Sequence, residues 1–216
     1  MTHKTNPHIL RTPYIQAWPS RWFAAKKQYR EALIQDYHIR HYLSEKLRNV
    51  GFSSLTIEKD SEKVKISIHT PKPGLIIGKG GAEIEKIRKE INERFLKKGE
   101  NLEISVVEEK SSGLSANVIL AEIIGNLEKR VSYRRTMKKA MNDIKTNGAI
   151  GCRIILSGRL DGAEIARTEK LSWGKLPLTT FRANIDYALG TAFTIFGAIG
   201  IKIWIYKGEI FLKKRV

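Results

Sequence analysis

Gly78 and Gly81 bracket Lys79 and Gly80 at the spacing Gly-x-x-Gly, preceded by Ile76 and Ile77 and followed by Ile84, Ile87, Ile91 and Phe95 at helical intervals. Glycines here let the main chain turn sharply and come close to a sugar-phosphate backbone. Lys79 adds a compact cation, and the amides that open the next helix can donate to phosphate oxygens. The chemistry these residues suit is the gripping of a nucleic acid. Two other glycine motifs fail on spacing. A Rossmann turn starting at Gly78 needs glycine or alanine where Glu83 stands, and a P-loop needs Ser or Thr where Gly80 follows Lys79.

A second group is Arg134, Arg135, Lys138 and Lys139. Residues 114–131 read as a mostly apolar helix that must break near 131, because at about 100° per residue a continuous helix would carry Arg134 and Lys138 onto the stripe held by Leu127 and Val131. A fresh helix with Ser132 as N-cap and Gly148 as its stop puts Tyr133, Met137, Ala140, Met141 and Ile144 on one face and the four cations on the other. The first turn carries Arg134 and Arg135, where the helix dipole favours acids, and no acid stands four residues earlier. A face of one sign suits nucleic acid; a solvated basic stripe is the other reading.

Residues suited to catalysis or metal binding are sparse. His38 and His41 lie three apart on a predicted helix without a nearby third ligand, so packed or solvated histidines are preferred to a metal pair. Cys152 is single and sits in an apolar stretch, which excludes an internal disulfide and a thiolate cluster. Glu164 and Asp186 belong to no ligand spacing and have no paired base, so no enzyme activity, cofactor or metal is expected.

The elements that must position the two basic groups follow from the pattern. A helix over 36–49 with Ile39, Tyr42, Leu43 and Leu47 ends at Gly51; Leu55 and Ile57 alternate as a strand; residues 60–62 turn the chain; and 63–70 alternates Val64, Ile66 and Ile68. A short helix, the glycine loop, a long helix and a strand with Leu102, Ile104 and Val106 complete the series. That order resembles a type II KH domain, whose glycine loop grips single-stranded nucleic acid. Beyond Gly148, strands are predicted over 153–156, 164–168, 182–187 and 202–206, so two helices should pack on one face of a sheet of about four strands, an α+β architecture.

With 216 residues the chain has room for two small domains. Lys and Arg number 39 against 22 acids, a net charge of +17 that favours a polyanionic partner and leaves RNA, DNA and anionic membrane open. No apolar run reaches a membrane span and Met1-Thr2-His3-Lys4 lacks a signal-peptide core, so a soluble, cytoplasmic protein without a membrane partner is expected. In residues 1–35 cations alternate with Tyr14, Trp18, Trp22 and Phe23. These rings either stack on bases or plug a neighbouring core.

The second half carries long phrases: Ser157-Gly158-Arg159-Leu160-x-Gly162-Ala163-Glu164-Ile165-Ala166-Arg167-Thr168-Glu169, then Pro177-Leu178-x-Thr180-x-Arg182-Ala183-x-Ile185-Asp186-Tyr187, then Gly197-x-x-Gly200-x-Lys202-x-Trp204-Ile205-x-Lys207-Gly208-Glu209. With the glycine loop and Arg134-Arg135-x-Met137-Lys138, they closely resemble the bacterial-type small-subunit ribosomal protein three family over about residues 3–209. Departures are local: the usual opening keeps only Lys4, Pro7 and Arg11, Asn184 replaces an aspartate, and Leu171-Ser172-Trp173 replaces an aromatic pair in another order.

The resemblance implies a basic N-terminal segment (1–35), a KH domain (36–110), a C-terminal α+β domain (111–209) and a basic tail (210–216). It implies a non-catalytic protein of the small-subunit head, in a cytoplasmic or organellar ribosome, bound to 16S-type rRNA. Its neighbours would be ribosomal proteins ten and fourteen, with proteins four and five at the mRNA entry. Arg134, Arg135 and Lys138 would line the mRNA entry channel, and Gly78, Lys79, Gly80 and Gly81 would form the KH loop. Lys4, Arg11, Arg130, Lys139, Arg159 and Arg167 are further implied RNA contacts. A free-standing KH regulator of messenger RNA is the alternative.

Overall fold

The computed structural model describes residues 5–12, 14–48, 50–60, 63–96, 101–109 and 112–211. They form two compact units, one of residues 18–110 and one of residues 1–17 with 111–216.

In the first unit, β1 (Ser20–Trp22), β2 (Ser54–Lys59), β3 (Lys63–Thr70) and β4 (Asn101–Glu108) form a sheet in that order, with β2 antiparallel to β3 and the outer pairs parallel. On β3, Val64, Ile66 and Ile68 point inward while Lys63 and Lys65 stay in water, which fixes the register because a one-residue slip would expose every apolar side chain. The buried face meets α2 (Lys26–Lys46) through Ile39 and Leu43 and α4 (Ala82–Phe95) through Ile87 and Ile91. The short α3 (Pro73–Ile77), opened by Pro73, buries Ile76 and delivers the chain to the glycine loop. The Tyr42 hydroxyl on α2 donates to Glu90 on α4, and burial together with that bond pushes the tyrosine pKa up to about 12.

In the second unit, β5 (Gly151–Gly158), β6 (Arg167–Gly174), β7 (Ala183–Thr194) and β8 (Gly197–Glu209) form an antiparallel sheet in the order β6-β5-β8-β7. Against one face pack α5 (Ala116–Glu128) and α6 (Tyr133–Thr146); their Ile119, Ile123, Met137 and Ile144 meet Ile154, Leu156, Ile201 and Ile203. Ser115 precedes α5 without capping it. The cap comes instead from Asp186 of β7, whose Oδ2 accepts from the Ala116 amide at 3.1 Å. On the other face Trp204, Tyr206 and Ile185 pack with Leu176 and Leu178.

Three differences from the sequence reading have physical causes. The first long helix starts at Lys26, ten residues before the predicted start, because its added turns leave Tyr29, Leu33 and Ile34 exposed, so their apolar residues mark no buried face. Residues 1–35 are not one segment. Their first part forms α1 (Pro7–Arg11) on the C-terminal unit, and their second part forms β1 and the start of α2. The strand expected over 164–168 lies at Arg167–Gly174: Asp161 and Gly162, both at positive φ, turn the chain, and Ile165 stays exposed while Leu171 and Trp173 meet the core.

Candidate nucleic-acid interface

The glycine loop lies on the surface between α3 and α4. Gly78 has φ 74° and ψ −177°, and Gly80 (φ 59°) and Gly81 (φ 83°) are left-handed, so Lys79 is carried on a turn of three positive-φ glycines. A Cβ on Gly78 would lie 2.7 Å from Cγ of Glu83, whereas a Cβ on Gly80 or Gly81 would meet nothing within 4 Å. The loop therefore packs tightly on α4 at its first glycine and leaves the next two open to an approaching backbone. Leu75 and Ile77, on the last turns of α3, are exposed beside it. Glu83 and Glu85 occupy the first turn of α4, so the phosphate affinity of that helix end is tempered by its own acids, with Lys86 pairing to Glu83 at 3.0 Å. Lys63, Arg88 and Glu103 were not singled out in the sequence. With Ile84, Glu85, Asn101, Leu102 and Ile104 they line a groove of about 430 Å³ between the start of α4 and β4. The spacing of Ile84 and Arg88, four apart on the helix after the loop, was the available signal.

The basic helix forms as its pattern requires. The chain breaks at Lys129–Val131, where Arg130 adopts φ 61° and the Val131 amide bonds back to the Asn126 carbonyl at 3.0 Å, closing α5 as a left-handed cap. The next helix starts at Tyr133 with Ser132 in the cap position; the side chain of Ser132 makes no capping bond, and Asp161 accepts from the Tyr133 amide at 3.4 Å. Met137, Ala140 and Ile144 are buried, as is Thr136, whose hydroxyl bonds to the Ser132 carbonyl at 3.1 Å. On the outer face Arg134 Nε donates to the Tyr133 hydroxyl at 2.9 Å and the guanidinium lies 5.6 Å from the ring centre; that bond holds the arginine pKa above its usual value. Lys139 donates to Glu122 of α5 at 2.6 Å, which likewise raises its pKa and neutralises part of its charge. Among the described residues, Arg135 and Lys138 make no hydrogen bond or ion pair within the chain. Ser132, Arg134, Arg135, Lys138, Lys139, Asn142 and Asp143 line a shallow open depression. An exposed row of cations with few acids can hold successive phosphates of one strand.

The remaining sequence-selected cations divide. Lys4 lies outside the described residues. Arg11 is a correction: it is 1% exposed, and its guanidinium donates to the carbonyls of Ala183 (2.6 Å), Pro7 (2.9 Å), Leu178 (2.9 Å) and Thr180 (2.9 Å), with Pro177 at 3.5 Å. It staples α1 to the start of β7 and, buried among those carbonyls, is out of reach of a phosphate, so it leaves the set of RNA contacts. Arg159 is exposed but bonds to the carbonyls of Ala163 (2.9 Å) and Phe196 (3.3 Å), holding its turn. Arg130 and Arg167 are exposed. His38 and His41 are exposed, His38 stacking on Phe95 and His41 on Tyr37, and among the described residues no cluster of three potential ligands could hold a metal. Trp18 and Phe23 are exposed rather than core plugs. No helix among the described residues is long and apolar enough to cross a membrane.

Comparison with known proteins follows this division into two parts. A KH domain model matches residues 38–114, and a model of the ribosomal protein S3 C-terminal domain matches residues 123–205. The small ribosomal subunit protein uS3 of Desulforamulus reducens is 46% identical over 210 residues, covering 97% of this chain and 94% of that protein. The protein of the same name from Carboxydothermus hydrogenoformans is 46% identical over 210 residues, at 97% and 93% coverage. That of Clostridium botulinum is 42% identical over 216 residues, at 100% and 97%.

Proposed function

The chain belongs to the uS3 family of small ribosomal subunit proteins, and from that premise we propose that it is a structural constituent of the small subunit that binds 16S-type rRNA in the head and lines the mRNA entry. The family is one of ribosomal structural proteins, not enzymes. The observation that carries the entry-channel role is the outer face of α6, where Arg135 and Lys138 are uncommitted and Arg134 is steered by Tyr133. These cations hold phosphates of single-stranded message and disfavour duplex at the entrance. Movement of the ribosome drives the unwinding, so the protein itself breaks no bond. In the KH unit the glycine turn takes an RNA backbone, and the groove between α4 and β4 offers Ile84 and Ile104 to bases and Lys63 and Arg88 to phosphates. Its neighbours are other proteins of the subunit, ten and fourteen in the head and four and five at the entry, in a cytoplasmic or organellar ribosome.

Replacing Arg134, Arg135 and Lys138 together with Ala leaves the fold intact, since all three lie off the buried face. In reconstituted ribosomes the variant slows translation through a stable message hairpin and leaves an unstructured message unaffected. Equal passage through the hairpin would overturn the entry-channel role.

A further inference from the structure

We propose that the face of the second sheet turned away from α5 and α6 carries a further RNA-binding surface, on which Arg153, Lys170 and Lys202 hold phosphate groups of the sugar-phosphate backbone. The inference rests on reading the chain as an RNA-binding constituent of the small subunit and adds a third set of contacts to the glycine loop and α6. Side chains of a strand alternate between its two faces. Cys152, Ile154 and Leu156 of β5 go to the core under the helices, so Arg153, Ile155 and Ser157 stand on the opposite face. The registers bring Lys170 of β6 and Lys202 of β8 to either side of Ile155, and Ser172 and Trp204 to either side of Arg153. Both lysines are thus diagonal neighbours of the arginine, close enough for long side chains to share one phosphate or take two in succession.

Nothing in the chain claims these cations. Among the described residues, none of the three side chains makes a hydrogen bond or ion pair, and Lys170 and Lys202 are exposed. The outward positions around them are Ser157, Thr168, Ser172, Leu189 and Thr191, with no acid among them. Glu169 pairs with Leu156 at an inward position, and Asp186 is turned to the start of α5. Two further donors distinguish the patch from solvated charge. Arg153 Nε and Trp204 Nε1 are both shut off from solvent, and neither has an acceptor in the chain. Trp204 is 4% exposed and lies directly opposite Arg153 in the register. A buried N–H without an acceptor is costly and uncommon in a native fold. Two of them on neighbouring side chains, one cationic, suit an anionic oxygen brought from outside. Arginine, lysine, serine and threonine are the side chains that position a sugar-phosphate backbone, and the hydroxyls of Ser172 and Thr191 add donors that an acidic peptide would leave idle.

The experiment uses the full chain with its tryptophan indoles isotope-labelled for NMR, the Trp204 signal being identified by its loss in Trp204→Phe. A short single-stranded RNA shifts that signal. Arg153→Gln with Lys170→Gln and Lys202→Gln abolishes the shift, weakens binding several-fold and makes the slope of log affinity against log salt shallower by about 2, three phosphates at about 0.7 each. Lys170→Gln with Lys202→Gln, both on the surface, takes about 1.4 from the slope without touching the half-buried arginine. Inorganic phosphate at matched ionic strength, or polyglutamate, moving the Trp204 signal as far as RNA does would make this a site for anions at large and overturn the proposal. RNA binding with an unmoved Trp204 signal and an unaltered slope overturns it too, while leaving the glycine loop and α6 in place. A chain that binds no RNA overturns both the inference and the reading beneath it.

Discussion

Arg11 and Arg130 are both arginines that the family resemblance places against RNA, and their surroundings separate them. The first is enclosed by backbone carbonyls of α1, β7 and the loop before β7. Arg11→Met leaves those acceptors without donors and should cost about 3 kcal/mol of stability, measured by urea unfolding, with the salt dependence of RNA binding unchanged. The second stands exposed at φ 61°, a conformation that costs a side-chain-bearing residue about 1–2 kcal/mol. Glycine there removes that strain at the expense of chain entropy, so Arg130→Gly should alter stability by less than about 1 kcal/mol. If the side chain is kept for a phosphate, the same substitution weakens binding of single-stranded RNA several-fold in a fluorescence titration. A loss of stability with unchanged affinity would make Arg130 a residue of the fold alone.

At the scale of elements, the loop between α3 and α4 shows why its glycines differ. Gly78 abuts Glu83, so any side chain there perturbs the loop through strain before it tests contact with RNA. Gly80 is left-handed but open, and aspartate tolerates that conformation better than most residues. Lys79→Asp with Gly80→Asp should therefore leave the melting temperature within a few degrees and lower affinity for a short single-stranded RNA by about tenfold or more through repulsion. Unaltered binding would remove the loop from the interface. The same elements set what sequence could reveal. β3 and α6 were legible because one face of each is buried and the other polar: Val64, Ile66 and Ile68 in one, Met137, Ala140 and Ile144 in the other. The first ten residues of α2 were not, since Tyr29, Leu33 and Ile34 are apolar and exposed. The start of β6 was misplaced because Ile165 mimics a core residue on a loop. The Asp186 cap on α5 joins residues seventy apart and leaves no local trace.

For the whole molecule, a charge of +17 announced a polyanionic partner without saying which cations would meet it. Spacing predicted that Lys79 and the outer face of α6 would be exposed, and they are, because a turn and a helix expose their own side chains predictably. Arg11 came from the family resemblance, and neither it nor spacing could show its partners, which lie some 170 residues away in sequence. The two units each carry part of the candidate RNA-binding cations, Lys79 with Lys63 and Arg88 in one and Arg134, Arg135 and Lys138 in the other. Each phosphate neutralised on a single strand contributes about −0.7 to the slope of log affinity against log salt concentration. Removing Arg134, Arg135 and Lys138 should thus make the slope of the intact chain shallower by about 2, and Lys79→Asp by about 1. With the contacts on separate units, the combined variant should show the sum of the two changes. Slopes that do not move while affinity falls would mean that the substitutions act on the fold. A sum well short of additive would mean that one surface binds only when the other is engaged.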